Sequence, residues 1–171
     1  FGGGLVTFTG SNGLFIIDAA GLAGTVEVAI AVTDSNVTIT GDASIQLNTG
    51  DAAVTEMFEA GGQTTVLNVP AGPYIRVAGA LDLNVLGQTI GGQFVFESTP
   101  DSVLITASNV NARFGTDDVA VEFSGGVGLL VIDSRGLAAS LSGLVKLVGV
   151  DGIVMQAQMR LNFKSFATAS P

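Results

Sequence analysis

Apolar and polar residues alternate along most of this chain, and a period of two marks a strand with one buried face. Thr25 to Val32 sets Val26, Val28, Ile30 and Val32 on one side. Val37 to Leu47 sets Val37, Ile39, Ala43, Ile45 and Leu47 inward and Thr38, Thr40, Asp42, Ser44 and Gln46 outward. Thr33-Asp34-Ser35-Asn36 between them is a turn-forming cluster. Asp51 to Ala60 fits a strand or a short helical turn, and Thr64 to Val69 fits a strand closed by the corner Pro70-Ala71-Gly72-Pro73. Tyr74 to Val85 alternates cleanly, with Ile75, Val77, Leu81, Leu83 and Val85 opposite Arg76, Asp82 and Asn84. Gly87-Gln88 turns the chain into Ile90 to Glu97, and Ser98 to Asp101 ends that run. Val103 to Phe114 breaks parity, as a bulge would. After a turn at Gly115 to Asp118 comes a strand from Val119. The last two are Leu137 to Leu147 and Ile153 to Phe163. Asn12-Gly13, Gly61-Gly62 and Asp151-Gly152 carry tight-turn chemistry.

Phe8 to Gly24, FTGSNGLFIIDAAGLAG, returns as Phe123 to Ala139, FSGGVGLLVIDSRGLAA, with nine of seventeen positions identical. The shift is 115 (128 − 13; 133 − 18). Aligning Ala43, Ile45, Leu47 and Asn48 with Ala157, Met159, Leu161 and Asn162 extends the repeat from 8–48 to 123–162, at a shift of 114 there (159 − 45). Asp18 and Asp133 each follow an apolar run, end a strand, and are placed to accept N–H groups from the turns that lead to Gly21 and Gly136. Long alternating strands with short connections predict an antiparallel meander, because parallel strands need longer crossovers. The expected fold is therefore all-β, one region over 1–171 that closes as a sandwich or flattened roll, with solenoid-like continuation between repeats.

Composition narrows the function. The net charge is −9 and the six cations, Arg76, Arg113, Arg135, Lys146, Arg160 and Lys164, form no basic run. That disfavours nucleic acid and anionic membrane surfaces. Cys and His are both absent, which removes thiolate and imidazole chemistry together. No apolar run reaches the roughly 18 residues of a spanning helix. A membrane barrel shares the strand pattern, but one Tyr and no Trp leave little for aromatic girdles. The chain opens on Phe1, as a processed or truncated start would, and shows no leader segment.

The remaining chemistry is sparse. Glu56 with Glu59, and Asp117 with Asp118, are the carboxylate pairs a glycosidase would want, but their spacing sends the two members apart. No catalytic residue and no cofactor site is expected. Asp34, Asn36, Asp117 and Asp118 put oxygen ligands in turns, so they are the candidate calcium ligands, although no Asp-x-Asp-x-Asp-Gly loop is present. Gly2-Gly3-Gly4 and Gly125-Gly126 lack the Lys-Ser/Thr of a phosphate loop, and Asn36-Val37-Thr38 is a lone glycosylation sequon.

Ala53 to Glu97, with PAGPYIRV at Pro70 to Val77 and LGQTIGGQFVFE at Leu86 to Glu97, resembles repeats of very large secreted bacterial proteins, such as those with an N-terminal LEPR-XLL motif. GLLVIDSRGLAASLSG at Gly128 to Gly143 belongs to the same likeness, which covers most of the chain without the LEPR-XLL segment itself. The resemblance implies an extracellular or cell-surface tandem β-repeat, not an enzyme. Edge chemistry points the same way. Soluble sheets guard their edges with Lys, Pro or bulges, yet Lys is limited to Lys146 and Lys164 and Pro avoids the long strands. The expected role is structural: a repeat unit or subunit of a filament, sheath or giant surface protein, whose partners are copies of itself. Phe1 to Val6 or Ile153 to Phe163 would complete a neighbour's sheet, and Met159→Lys would prevent it. The alternative is an adhesin-type or carbohydrate-binding module stiffened by calcium, with Tyr74 as the one obvious sugar platform.

Overall fold

The computed structural model describes residues 5–33 and 37–166. Eleven strands follow in chain order: β1 Leu5–Asp18, β2 Gly21–Thr33, β3 Val37–Asn48, β4 Val54–Ala60, β5 Gln63–Val69, β6 Tyr74–Val85, β7 Gln88–Ser98, β8 Ser102–Gly115, β9 Ala120–Asp133, β10 Gly136–Val148 and β11 Met155–Phe166. Nine form one sheet in the order β1-β2-β3-β6-β7-β8-β9-β10-β11, and β4 and β5 form a separate hairpin. Every pairing is antiparallel. The chain is thus the all-β antiparallel meander that its alternation predicts, and the sheet is not closed into a barrel. The ambiguous piece at 51–60 is a strand, β4, because its partner β5 offers it a full ladder from Val54↔Val69 to Ala60↔Gln63.

The connections show why the chain reverses where it does. Asp18 Oδ1 accepts from the N–H groups of Ala20 (2.7 Å) and Gly21 (3.1 Å), and Asp133 Oδ1 accepts from Arg135 N–H (2.8 Å). Each carboxylate substitutes for a backbone acceptor in its two-residue turn. Gly61 and Gly62 sit at φ +61° and +78°, the left-handed pair a tight hairpin needs. The β6–β7 turn is Leu86-Gly87, one residue earlier than expected, with φ +51° and +82°. Leu86 is 71% exposed, so its side chain gains little there and only the backbone cost remains. Leu86→Asn should therefore stabilise the fold by about 1 kcal/mol, read from the denaturant midpoint. Gly152, at φ +75°, lies in the turn closed by Ile153 N–H on Val150 O at 3.1 Å. The expected Thr33–Asn36 hinge falls largely on 34–36, outside the described residues.

Asn12-Gly13 is not a turn. It lies inside β1, just past a register shift between Gly10 and Asn12 that leaves Ser11 as the extra residue of a bulge. The same irregularity recurs in β9. There Ser124 pairs with Leu144 and Val127 with Ser142, so Gly125 and Gly126 face the single residue Gly143. Positions 10, 11 and 12 plus 115 are 125, 126 and 127. The β9–β10 ladder thus has the register of β1–β2, bulge included: Ile17↔Leu22 answers Ile132↔Leu137. Cross-strand volumes are traded between the copies. Phe15 opposite Gly24 becomes Leu130 opposite Ala139. A Cβ on Gly24 would lie 2.1 Å from the Phe15 ring, so the large residue needs the absent side chain. At β11 the ladder sets Leu161 opposite Leu141 as Ile45 is opposite Val26, a shift of 116 (161 − 45). That is two residues beyond the letter-based shift of 114, and an even offset keeps each side chain on its own face.

Register sorts the two faces. Gly13, Val26, Ile45, Val77, Phe96, Ile105, Leu130, Ala139 and Phe163 are successive partners across all nine strands, and direct partners share a face. The opposite face carries rows such as Thr38, Asn84, Thr89, Arg113, Glu122, Lys146 and Gln156. A second layer exists at one corner of that polar face. There β5 lies against β2 and β3, and Leu67, Val69 and Tyr74 are buried with Leu14, Ile16, Val54 and Phe58 packed around them. Asn48, 2% exposed, ties this layer down. Its Nδ2 donates to Ala52 O (2.8 Å) and Pro70 O (2.7 Å), and its Oδ1 accepts from Gly50 N–H (2.8 Å).

Candidate functional site

The features of this fold that are left open are its edges. Among the described residues β1 and β11 each have one ladder neighbour, β2 and β10. The outward N–H and C=O groups of such a strand are unpaired and template a further strand. β11 is the less guarded of the two. It pairs with β10 from Gly136↔Phe166 to Leu147↔Met155 without a register shift, and it contains no Pro. Its Arg160 and Lys164 lie on the polar face, opposite Ser142 and Ala138. On the other face Leu161 is 61% exposed and Phe163 and Met159 are also exposed. At a rise of about 3.4 Å per residue the free edge is some 40 Å long.

β1 carries its bulge at Ser11, which would ordinarily blunt an edge. The equivalent bulge at Gly125-Gly126 lies in β9, and β9 is paired on both sides, with β8 and β10. β8 accommodates it with irregularities of its own between Ala107 and Ala112, the bulge its broken parity predicted. Asn109 takes φ +51° there, Asn111 Nδ2 donates to Asn109 O at 2.7 Å, and Gly125 N–H donates to Asn111 Oδ1 at 3.3 Å. The bulge is therefore compatible with a strand on its outer side.

A polar trough of about 530 Å³ runs over strands β3, β6, β7, β8 and β9, between residues including Thr40, Asp82, Asn84, Asn111, Arg113 and Glu122. Its one cation is already engaged. Arg113 Nη1 donates to Glu122 Oε1, and Nη2 donates to Thr116 O (3.2 Å) and Asp117 O (3.1 Å). No ring offers a sugar platform on this floor: Phe123 lies over Gly143, whose Cβ would come within 2.3 Å of it. Tyr74, the expected platform, is 7% exposed under the hairpin and its hydroxyl donates to Glu97 at 3.3 Å.

Of the candidate calcium ligands, Asp117 and Asp118 are exposed in the turn after β8, and Asp34 and Asn36 fall outside the described residues. Among the described residues no three acidic side chains gather into a group that could hold a metal ion. Glu56 and Glu59 are both exposed on β4, at odd spacing and so on opposite faces. Among the described residues no helix is long and apolar enough to cross a membrane.

Among the described residues Tyr74, Asp133 and Arg135 have displaced titrations. Burial first, and then the negative charge of Glu97 and the hydrogen bond to it, raise the Tyr74 phenol above its usual value, with Arg76 opposing. The neutral phenol is the folded form, so its contribution is complete below the unfolded value near 10 and is lost as pH rises through the higher folded value. Tyr74→Phe should flatten the alkaline limb of a stability–pH curve above pH 10, whereas an unchanged limb would remove Tyr74 from that account. Asp133 is held below the usual carboxylate range, chiefly by the Arg135 side chain and then by Arg135 N–H.

Of the two segments expected to join a neighbour, Ile153 to Phe163 overlaps the edge strand β11 from Met155 on. Phe1 to Val6 reaches β1 only at Leu5 and Val6, residues 1–4 lying outside the described residues. The sorting of charge was missed. Asp18, Glu27, Asp42, Arg76, Asp82, Glu97, Arg113, Glu122, Asp133, Lys146, Arg160 and Lys164 all stand on one face of the sheet. The signal was present in each strand's parity, but relating strands to one another requires the register. No family model, curated protein or solved structure matches this chain.

Proposed function

We propose that this chain is a structural repeat unit of an extracellular assembly, a filament, sheath or giant surface protein, whose units are joined by β-strand pairing. The observation that carries this reading is the covering of β9. By register and bulge β9 corresponds to β1, and its outer edge is taken by β8. An edge like that of β1 is therefore one this fold covers with a β8-type strand. By the same correspondence β11 answers β3, whose outer neighbour is β6. Six sheet strands, β1, β2, β3, β6, β7 and β8, precede β9 in the order. An even number keeps every junction of an array antiparallel, and at about 4.8 Å per strand each unit advances about 29 Å. The likeness to repeats of very large secreted bacterial proteins supports the tandem arrangement and the extracellular setting. The work of such a unit is mechanical: load passes through ladder hydrogen bonds and side-chain packing, and no residue is assigned a catalytic role.

Sedimentation velocity on the purified chain tests this. Species that lengthen with concentration are expected, because each copy presents two open edges. A protein that stays a single copy at about 100 μM would remove the reading, since edge-joined units cannot remain apart at that concentration.

A further inference from the structure

Among the described residues nothing covers the apolar face of the sheet. Phe15, Ile17, Phe96, Ile132, Leu161 and Phe163 on it are each more than a third exposed. Its fully buried positions, among the described residues, are Ala43 and the glycines Gly24, Gly126 and Gly143. The hairpin β4–β5 lies on the other face, and among the described residues no other element packs across the sheet to any extent. Nine strands of about twelve residues give this face a footprint of roughly 40 by 40 Å, several times the apolar patch of an ordinary monomer. The whole chain exposes 11272 Å². A folded monomer of 17.2 kDa is expected to expose about 7,800 Å². The excess, about 3,500 Å², exceeds the roughly 800 Å² per partner that a stable complex buries.

We propose that a second copy of this chain covers the apolar face, so that two sheets pack face to face about 10 Å apart as a sandwich. Charge selects the occupant. Every charged residue of the nine sheet strands is on the opposite face. Two copies so joined bury no charge and turn both acidic faces to water, despite a net charge of −9 on each. A second copy also brings the same twist, which aligned sheet packing requires. Such an interface is two-fold and closed, so it makes the assembly two layers thick without lengthening it. It is independent of the edges, and the two can fail separately.

The test uses the full chain with both edges blocked by proline, one in β1 at Thr9 or Gly10 and one in β11 at Ala157 or Gln158. Sedimentation equilibrium should find a dimer. Adding Phe96→Lys should weaken it at least about a hundredfold, while Gln93→Lys, on the polar face of the same strand, should leave it unchanged. A circular dichroism spectrum unchanged from the parent shows that each variant is folded. Because the chain has no Cys, a spin label at Ser98→Cys, on the apolar face, provides a readout that introduces no charge. With a face about 40 Å long and sheets about 10 Å apart, labels of two copies should lie within about 45 Å of each other. An edge-blocked protein that is monomeric at 100 μM, or that dimerises equally well with Phe96→Lys, overturns the proposal. So does one that stays single and instead takes up neutral lipid vesicles. If the parent chain fails to lengthen while the edge-blocked dimer persists, the edge reading fails and this one stands.

Discussion

Proline in both edge strands should leave the protein folded and end its growth into long species. In an antiparallel pair, adjacent residues alternate between N–H groups that serve the neighbour and N–H groups that point away. One of Ala157 and Gln158 in β11, and one of Thr9 and Gly10 in β1, must point away from β10 and β2. A proline there removes a donor that the monomer does not use and sets a ring against any incoming strand. Stability should fall by no more than about 1 kcal/mol at the outward positions, against about 3 kcal/mol or more where a ladder bond is lost. Proline is a cleaner probe than Met159→Lys, because Met159 lies on the apolar face opposite Gly143 and a charge there would disturb face packing as well. Long species that persist with both edges blocked would show that the chain lengthens by some other surface.

Asn48→Ala should be the most damaging single substitution in the fold, at about 3–5 kcal/mol. The side chain is buried and holds three backbone groups: the carbonyls of Ala52 and Pro70 and the N–H of Gly50. Those groups belong to the two connections that carry the chain out of the sheet into β4–β5 and back. No substitute within the corner can reach all three, and Gly72 N–H is already committed to Gly50 O at 2.7 Å. The unfolding midpoint should drop by roughly 10 °C. Asn48→Asp should cost at least as much, since a carboxylate cannot donate to two carbonyls. If Asp were tolerated, Asn48 would only fill space. The loss should be local to the hairpin layer, whose buried residues Leu67 and Val69 would lose their cover.

Much of the fold was legible because one alternating face of each strand is apolar. Tyr74–Val85 has in the structure the limits its alternation gives, and the turns at Asp18 and Asp133 follow from their side-chain oxygens. Asn12-Gly13 misled because the pair is the commonest hairpin signal, whereas a bulge also admits small and polar residues. The repeat held the correction, since the equivalent positions are Val127 and Gly128, and Val is a poor residue for such a turn. The corner layer was not legible. Burial of Leu67, Val69 and Tyr74 depends on a hairpin folding back over β1 to β3, and nothing local to those residues encodes that contact. The open edges were inferred from the scarcity of Lys and Pro, but the bare apolar face was not, because strands with one buried face read alike whether the cover is their own chain or another.

Cryo-electron microscopy of the assembled protein tests the central claim most directly. The account predicts an unbroken sheet in which a strand of the next unit lies about 4.8 Å from the outer side of β11. Discrete particles in which β1 and β11 both end against solvent would contradict it.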